Sequence, residues 1–219
     1  MDTRLPIVLL SGMSADGSLF APQRESFPQL VAPSWIDPLP RESLRAYAGR
    51  LARLLDPGGR CIVGGASFGG IVALEMATQL RAEACVLISS VRSPNEFPWW
   101  YRLLRPAARL NPATLGWVAG RVAELSAPSL PRVTARRLRQ LSQPSAAFLR
   151  WASGAVLGWQ PSPKVRGVRV LQIHGDVDRR FPVRFTRPDV VVPGGGHLLT
   201  LTHPKIVNEF LRRAATLAA

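Results

Sequence analysis

The chain has 219 residues, of which 47% are hydrophobic and 19% are charged, and its formal net charge is +14. This length fits one domain whose core needs no disulfide or metal, and the composition excludes a disordered protein. No apolar run has membrane-spanning length, and the run after Arg4 is too short for a signal peptide. We therefore expect a cytoplasmic protein without a membrane span.

Arginine supplies nearly all of the positive charge, because only Lys164 and Lys205 are lysines. The arginines are spread along the chain, with modest concentrations at 132–139 and 179–187. No helix-turn-helix, zinc-finger or aromatic-rich single-strand motif accompanies them. A solvated basic surface is therefore expected, rather than a nucleic-acid partner.

The two cysteines, Cys61 and Cys85, each begin an apolar stretch. Neither has the spacing of a metal site or of a redox pair. We expect both to be buried thiols in the core, and we expect no metal and no cofactor.

The first 93 residues alternate apolar runs of strand length with helix-like stretches. This alternation is typical of a parallel sheet with helices on both faces. In chain order, the pattern predicts a strand at 5–10, a weaker strand at 34–37, a helix at 41–55, a strand at 61–63, a helix at 70–80 and a strand at 84–89.

The region from 94 to 163 contains no strand-like run. It consists of short helical stretches separated by prolines, and a connection of this length is usually functional. Five of the six tryptophans fall here, at positions 99, 100, 117, 151 and 159. Strands at 168–173 and 189–192 and a helix at 204–217 follow. We expect a core formed by 1–93 and 164–219, with a helical lid at 94–163 inserted after the strand at 84–89.

The segment Gly65-Ala66-Ser67-Phe68-Gly69 lies between a predicted strand and a predicted helix. This setting is that of a nucleophile elbow, a sharp turn that exposes a serine hydroxyl while glycines make room for the backbone. A glycine-rich turn with an incidental serine is the alternative. Ser67 is thus a candidate nucleophile, and a serine needs a base and an orienting acid to act as one.

Candidates for the acid and the base follow the last two predicted strands. His174, Asp176 and Asp178 come after the strand at 168–173, and His197 comes after the strand at 189–192. Ligands bind at the carboxyl ends of strands in open α/β sheets. The order serine, acid, histidine is also the order of this type of hydrolase.

These pieces together resemble the α/β-hydrolase superfamily, especially its small lidded members that act as esterases or thioesterases. The matching motifs span nearly the whole chain outside the lid: Leu10-Ser11-Gly12-Met13, the segment around Ser67, Ile173-His174-Gly175-Asp176-Val177-Asp178, and Gly195-Gly196-His197. The resemblance implies an α/β fold with a trimmed, mostly parallel sheet of about six strands and helices on both faces.

The resemblance also implies roles for the individual residues. It makes Asp178 rather than Asp176 the acid, and it makes His197 the base. His174 matches a structural His-Gly pair. His203 stands before Pro204, where a surface residue at the start of a helix is expected.

The oxyanion of such a site is held by two backbone N–H groups. One belongs to Phe68, just after the nucleophile, and the resemblance places the other at Met13. Aromatic residues at the start of the lid, Phe97, Trp99 and Trp100, are candidates for lining an apolar pocket. Trp99 and Trp100 could equally pack the lid onto the body. Lid arginines such as Arg102 and Arg105 could instead contact a carboxylate or a phosphate.

The expected function is therefore a serine hydrolase that cleaves a carboxylic ester with a hydrophobic acyl or alcohol group. A thioesterase acting on acyl-carrier or CoA thioesters is an alternative. A non-hydrolytic or slow-turnover, ligand-sensing member of the fold is another. The oligomeric state does not follow from the sequence.

Overall fold

The computed structural model describes residues 5–101, 103 and 144–218. They form a six-stranded sheet in which every neighbouring pair of strands is parallel. In chain order, the strands are β1 (Ile7–Leu10), β2 (Leu30–Val31), β3 (Cys61–Ala66), β4 (Ala82–Ile88), β5 (Val170–Gly175) and β6 (Val190–Val192). Their order across the sheet is β2-β1-β3-β4-β5-β6. The predicted parallel sheet of about six strands is confirmed.

Helices cover both faces of this sheet, as predicted. In chain order, those used below are α1 (Ala21–Ser26), α2 (Leu44–Leu55), α3 (Phe68–Met76), α4 (Ala146–Gly158), α5 (Leu199–Thr202) and α6 (Pro204–Ala218). Helices α2, α3 and α4 share one core cluster, whereas α5 and α6 contribute to the other.

The strands supply both clusters because successive side chains point to opposite faces of a sheet. In β1, Val8 and Leu10 belong to the cluster beneath α2 and α3, while Ile7 and Leu9 belong to the opposite cluster. All four side chains are buried. A strand that is buried on both faces reads as one continuous apolar run, which is how β1 could be located in the sequence.

Cys61 and Cys85 are buried and free, as predicted. Burial raises the pKa of the Cys61 thiol to about 11, so this sulfur stays protonated at neutral pH. Within the described part of the chain, no helix is long and apolar enough to cross a membrane. The same residues contain no cluster of metal-ligating side chains.

The predicted strand at 34–37 is wrong. The edge strand beside β1 is β2, which comes a few residues earlier. The segment 34–37 is irregular because Pro33 and Pro38 flank it and Trp35 turns inward. The Trp35 indole N–H donates to the Gly12 carbonyl at 3.2 Å, which commits this segment to the loop after β1.

The described part of the predicted lid packs on the same face as α2 and α3. In α4, Phe148 and Ala152 are buried in their cluster, and the Trp151 ring lies 4.3 Å from that of Tyr47. Trp117, Arg102 and Arg105 lie outside the described residues. The limits of the lid at 94 and 163 stay a prediction.

Candidate active site

The turn between β3 and α3 holds Ser67 in a backbone conformation that side chains rarely adopt. Its φ is 54° and its ψ is −120°, which is unusual for a residue other than glycine. Close packing maintains this turn: a Cβ added to Gly69 would lie 2.2 Å from the Leu10 carbonyl oxygen, and one added to Gly65 would lie 2.6 Å from the same atom. A strained turn of this kind is typical of a nucleophile elbow.

The loop after β1 lies directly beside Ser67. A Cβ added to Gly12 would lie 3.9 Å from the Ser67 Cβ, and β1 and β3 are parallel neighbours whose turns leave the same edge of the sheet. Within the described residues, the backbone N–H groups of Met13 and Phe68 donate no hydrogen bond to protein. Both groups are therefore available to a developing negative charge at this edge.

Asp178 and His197 form a hydrogen-bonded pair in the loops after β5 and β6. Asp178 Oδ2 lies 2.8 Å from His197 Nδ1. The other carboxylate oxygen accepts from the N–H groups of Arg180 and Phe181 at 2.8 and 3.1 Å. When Nδ1 donates to the carboxylate, Nε2 is the ring atom that can accept a proton. That Nε2 is buried and has no hydrogen-bond partner among the described residues.

His174 contacts the same carboxylate from the end of β5. Its side chain is fully buried, and its Nε2 lies 2.6 Å from the Phe181 carbonyl oxygen and 3.3 Å from Asp178 Oδ2. An Nε2–H that faces two acceptors ties the carboxylate to the backbone of its own loop. The sequence interpretation of His174 as a structural residue missed this contact with Asp178.

The surroundings favour an ionised Asp178 and a neutral His197. Burial alone would raise the pKa of Asp178, but attraction to His197 and the hydrogen bonds from His174 and His197 outweigh it and hold the pKa well below the usual range. Burial is also the largest effect on His197, and together with Arg180 it lowers this pKa from 6.5 despite the opposing effect of Asp178. A neutral imidazole is the form that a general base needs.

The other two polar candidates lie apart from this pair. Asp176 is exposed, and its backbone N–H donates to the Val192 carbonyl at 3.2 Å. It is therefore Asp178 whose carboxylate contacts His197. His203 is half-buried beside the start of α6, with its Nδ1 2.9 Å from Thr202 Oγ1.

The three aromatic residues predicted to line a pocket differ in their surroundings. Phe97 is buried, and its ring lies 5.8 Å from that of Phe181, which in turn lies 5.6 Å from the His197 ring. Trp100 is half-buried, whereas Trp99 is 56% exposed. The Phe181 ring thus contacts both Phe97 and His197. A substrate-binding role for Phe97, Trp99 and Trp100 stays a prediction.

Sequence reasoning missed three residues that support the site. Ser90 Oγ donates to the Ser67 carbonyl oxygen at 2.6 Å, and the Gln172 amide in turn donates to the Ser90 carbonyl at 2.7 Å. A polar residue at the end of β4, next to β3, is a signal that could have indicated Ser90. No local pattern indicates Trp35, which fixes the neighbouring loop from a distant segment.

Comparison with known families agrees with this architecture. The model described as the alpha/beta hydrolase family matches residues 7–210, which is nearly the whole chain. The chain belongs to the alpha/beta hydrolase family. The resemblance inferred from the motifs is therefore confirmed. Among individually curated proteins, none matches the sequence of this family member significantly.

Solved structures with the same fold include esterases. A thermophilic esterase from Thermogutta terrifontis is 22% identical, with a TM-score of 0.66 over 96% of this chain and 90% of its own. A structure from work on carboxylesterases of Nitrososphaera gargenis is 17% identical (TM-score 0.69, 99% and 91% covered). MenH from S. aureus is 16% identical (TM-score 0.73, 100% and 96% covered). At these identities the fold is shared, and the chemistry of this hydrolase-family member has to be argued from its own site.

Proposed function

We propose that the chain is a serine hydrolase that cleaves a carboxylic ester, with Ser67 as nucleophile, His197 as base and Asp178 as the orienting acid. The observation that carries this proposal is the hydrogen-bonded pair of Asp178 and His197, whose Nε2 has no partner among the described residues. The pair follows β5 and β6 at the carboxyl edge of the sheet, where the strained turn also presents Ser67.

Attack begins when Ser67 Oγ bonds to the ester carbonyl carbon and its proton passes to His197 Nε2. The carbonyl electron pair moves onto oxygen, where the N–H groups of Met13 and Phe68 bind it; the Phe68 group belongs to the first turn of α3, the positive end of that helix. The bond to the alcohol oxygen then breaks as His197 returns the proton to that oxygen. The alcohol leaves, and the acyl group remains on Ser67.

Water completes the cycle by the same route in reverse. His197 takes a proton from water as the water oxygen attacks the acyl carbon, and it then protonates Ser67 Oγ as the acyl bond breaks. The products are a carboxylic acid and the free enzyme. Asp178 stays ionised throughout, in keeping with its lowered pKa, and it stabilises the imidazolium that forms twice in each cycle.

An apolar acyl or alcohol group suits the described surroundings of this site. Phe181 contacts His197, and Phe97 packs against Phe181. Aromatic walls favour an apolar ligand because they exclude water from it. The fold shared with esterases is consistent with an ester substrate.

The direct test is labelling by a fluorophosphonate probe, followed by intact mass spectrometry. We expect one phosphonyl adduct on the native chain and none on Ser67→Ala. Ser34→Ala is the matched control, because Ser34 is an exposed serine outside the site, and it should label as the native chain does. Labelling that persists in Ser67→Ala would falsify the assignment of the nucleophile.

Substrate class is tested next with p-nitrophenyl esters and acyl thioesters of several chain lengths. We expect turnover of the esters, and we expect it to rise with the length of the acyl group up to the longest group that the site can hold. If only the thioesters are hydrolysed, the proposed activity becomes thioester hydrolysis at the same serine. A labelled serine with an acyl-enzyme that persists in water would instead indicate a slow-turnover ligand sensor.

A further inference from the structure

A groove of about 690 Å³ lies between the start of α2 and one side of α4. Its volume is in the range of small-molecule sites. Three of its lining residues are the cations Arg41, Arg45 and Arg150, whereas Glu42 is the single carboxylate among them. Ser67, Asp178 and His197 are not among its lining residues.

The charges in the groove are unequally matched. Glu42 is already paired, because its carboxylate accepts from the Arg50 guanidinium at 3.0 and 2.8 Å. The side chains of Arg41 and Arg150 form no hydrogen bond or ion pair with any described residue. Two guanidinium groups, one before α2 and one on α4, are therefore available to an anion. Arginine binds carboxylate and phosphate oxygens in a two-pronged geometry.

Arg41 is also held in a strained backbone conformation. Its φ is 59°, in the left-handed region that asparagine and glycine tolerate far better than a long side chain does. Strain of this kind at a residue other than glycine is enriched at ligand-binding sites. The strain and the unmatched charge of Arg41 are independent observations, and both point to the same groove.

The two walls of the groove are fastened to the body of the protein. The Trp151 indole N–H donates to the Glu42 carbonyl oxygen at 2.7 Å, which joins α4 to the start of α2. The Trp159 indole N–H donates to the buried Glu75 carboxylate at 2.9 Å. A preformed groove loses little entropy when it binds a ligand. The half-buried ring of Trp151 adds an apolar surface beside the cations.

Glycines keep one side of the groove open. Gly154 and Gly158 lie four residues apart on α4, so they share one side of the helix. A Cβ added to either would meet no atom within 4 Å. Glycine is unfavourable inside a helix, yet here it leaves room along the groove. A side chain added at Gly154 would extend into that room.

We propose that this groove binds a small organic anion, whose carboxylate or phosphate pairs with Arg41 and Arg150 while a planar apolar body lies on Trp151. Ser67 takes no part in this binding. Helix α4 connects the groove to the loop after β1, because the Ser153 hydroxyl on this helix lies 3.6 Å from the Met13 sulfur.

Isothermal titration of the whole chain with three naphthyl probes tests the proposal. The probes are 1-naphthyl phosphate, 1-naphthoate and neutral 1-naphthol. We expect both anions to bind at least about tenfold more tightly than naphthol, because charge-assisted hydrogen bonds to arginine are among the strongest. Tighter binding of the phosphate identifies a phosphate ester as the ligand class, and tighter binding of naphthoate identifies a carboxylate. Failure of both anions to bind, or equal binding of all three probes, overturns the proposal.

Variants locate the binding in the groove. Arg41→Asn removes the cation at a position where asparagine tolerates the backbone, and Gly154→Leu fills the groove; each should weaken anion binding at least about tenfold. The matched controls are Arg213→Asn and Gly167→Leu, an exposed arginine and an open glycine outside the groove. These controls and Ser67→Ala should bind as the native chain does. Native affinity in both groove variants would place the anion elsewhere and refute the proposal.

Discussion

The two halves of the candidate site are held in place by different forces. Around Ser67, backbone packs against backbone so closely that an added Cβ at Gly69 would lie 2.2 Å from the Leu10 oxygen. Around Asp178 and His197, side-chain and backbone hydrogen bonds of 2.8 to 3.1 Å set the geometry. Steric exclusion sets the geometry around Ser67, whereas hydrogen-bond donors and acceptors set the geometry of Asp178 and His197.

This difference predicts opposite sensitivities. The turn at Ser67 should be sensitive to added atoms, because steric exclusion defines it. The acid–base pair should be sensitive to a changed donor or acceptor of the same size, because directional hydrogen bonds define it.

Asp178→Asn should lower kcat by about 10⁴-fold with little change in the folded structure. The amide is the same size as the carboxylate, but it neither fixes the His197 tautomer nor stabilises the imidazolium. Ester hydrolysis together with circular dichroism measures both effects. Asp176→Asn makes the same change two residues away, at an exposed position, and should retain native kcat. Equal losses in the two variants would contradict the choice of acid.

Gly69→Ala should destabilise the fold by about 3 kcal/mol, a typical cost of forcing a methyl group into closely packed structure. The new Cβ would lie 2.2 and 2.3 Å from the carbonyl oxygens of Leu10 and Ser11, and backbone atoms cannot move aside as a flexible side chain can. Urea unfolding followed by fluorescence measures the change. Gly59→Ala serves as the control, because nothing lies within 4 Å of its added Cβ. An unchanged urea midpoint for Gly69→Ala would contradict the close packing of this turn.

His174→Leu should lower kcat about tenfold, because it removes a donor facing Asp178 Oδ2 and leaves the buried Phe181 carbonyl with one donor fewer. His174→Gln can place an N–H near the same atoms and should recover much of the loss. The dependence of kcat on pH distinguishes positioning from simple loss of folding. His174 contributes to lowering the pKa of His197, so the leucine variant should lose activity at a higher pH on the acid side. An unchanged acid limb would indicate a purely structural role.

The smallest expected effect is the change of the native rate with pH. Activity requires neutral His197, and burial lowers its pKa from 6.5. The rate should therefore fall as the pH drops through a value below 6.5. In Asp178→Asn the pKa-raising effect of the carboxylate is lost, so the residual activity should persist to still lower pH. An acid limb above 6.5 in the native profile would contradict a His197 whose pKa is lowered.

Sequence patterns located the elements that are buried on both faces. Strands such as β1 and β3 are continuous apolar runs, and their order along the chain led to the parallel sheet. The segment 34–37 was misread because Trp35 and Ile36 look like strand residues. In the structure the Trp35 ring lies 5.3 Å from that of Phe68. Tertiary contacts of this kind, rather than local propensity, decide short segments.

The candidate site divides in the same way. Ser67, Asp178 and His197 stand in motifs whose spacing a sequence displays directly. The contact of His174 with Asp178 and the hydrogen bond from Ser90 to the Ser67 carbonyl depend on how strands lie side by side. Sequence spacing carries no information on which buried donor meets which acceptor until the register of the sheet is known.

The buried carboxylate of Glu75 has a consequence for protein engineering. It lies on α3, the helix that follows Ser67, and it accepts hydrogen bonds from the Trp159 indole and the Ser162 backbone N–H at 2.9 and 3.0 Å. A chimera in which the chain from the end of β4 to Ser162 was replaced would remove the indole donor. The buried Glu75 side chain would then have one hydrogen-bond donor fewer, which is costly. The replaced segment should end before Trp159, so that the protein keeps its own indole donor to Glu75. Alternatively, Glu75 should be exchanged together with the graft.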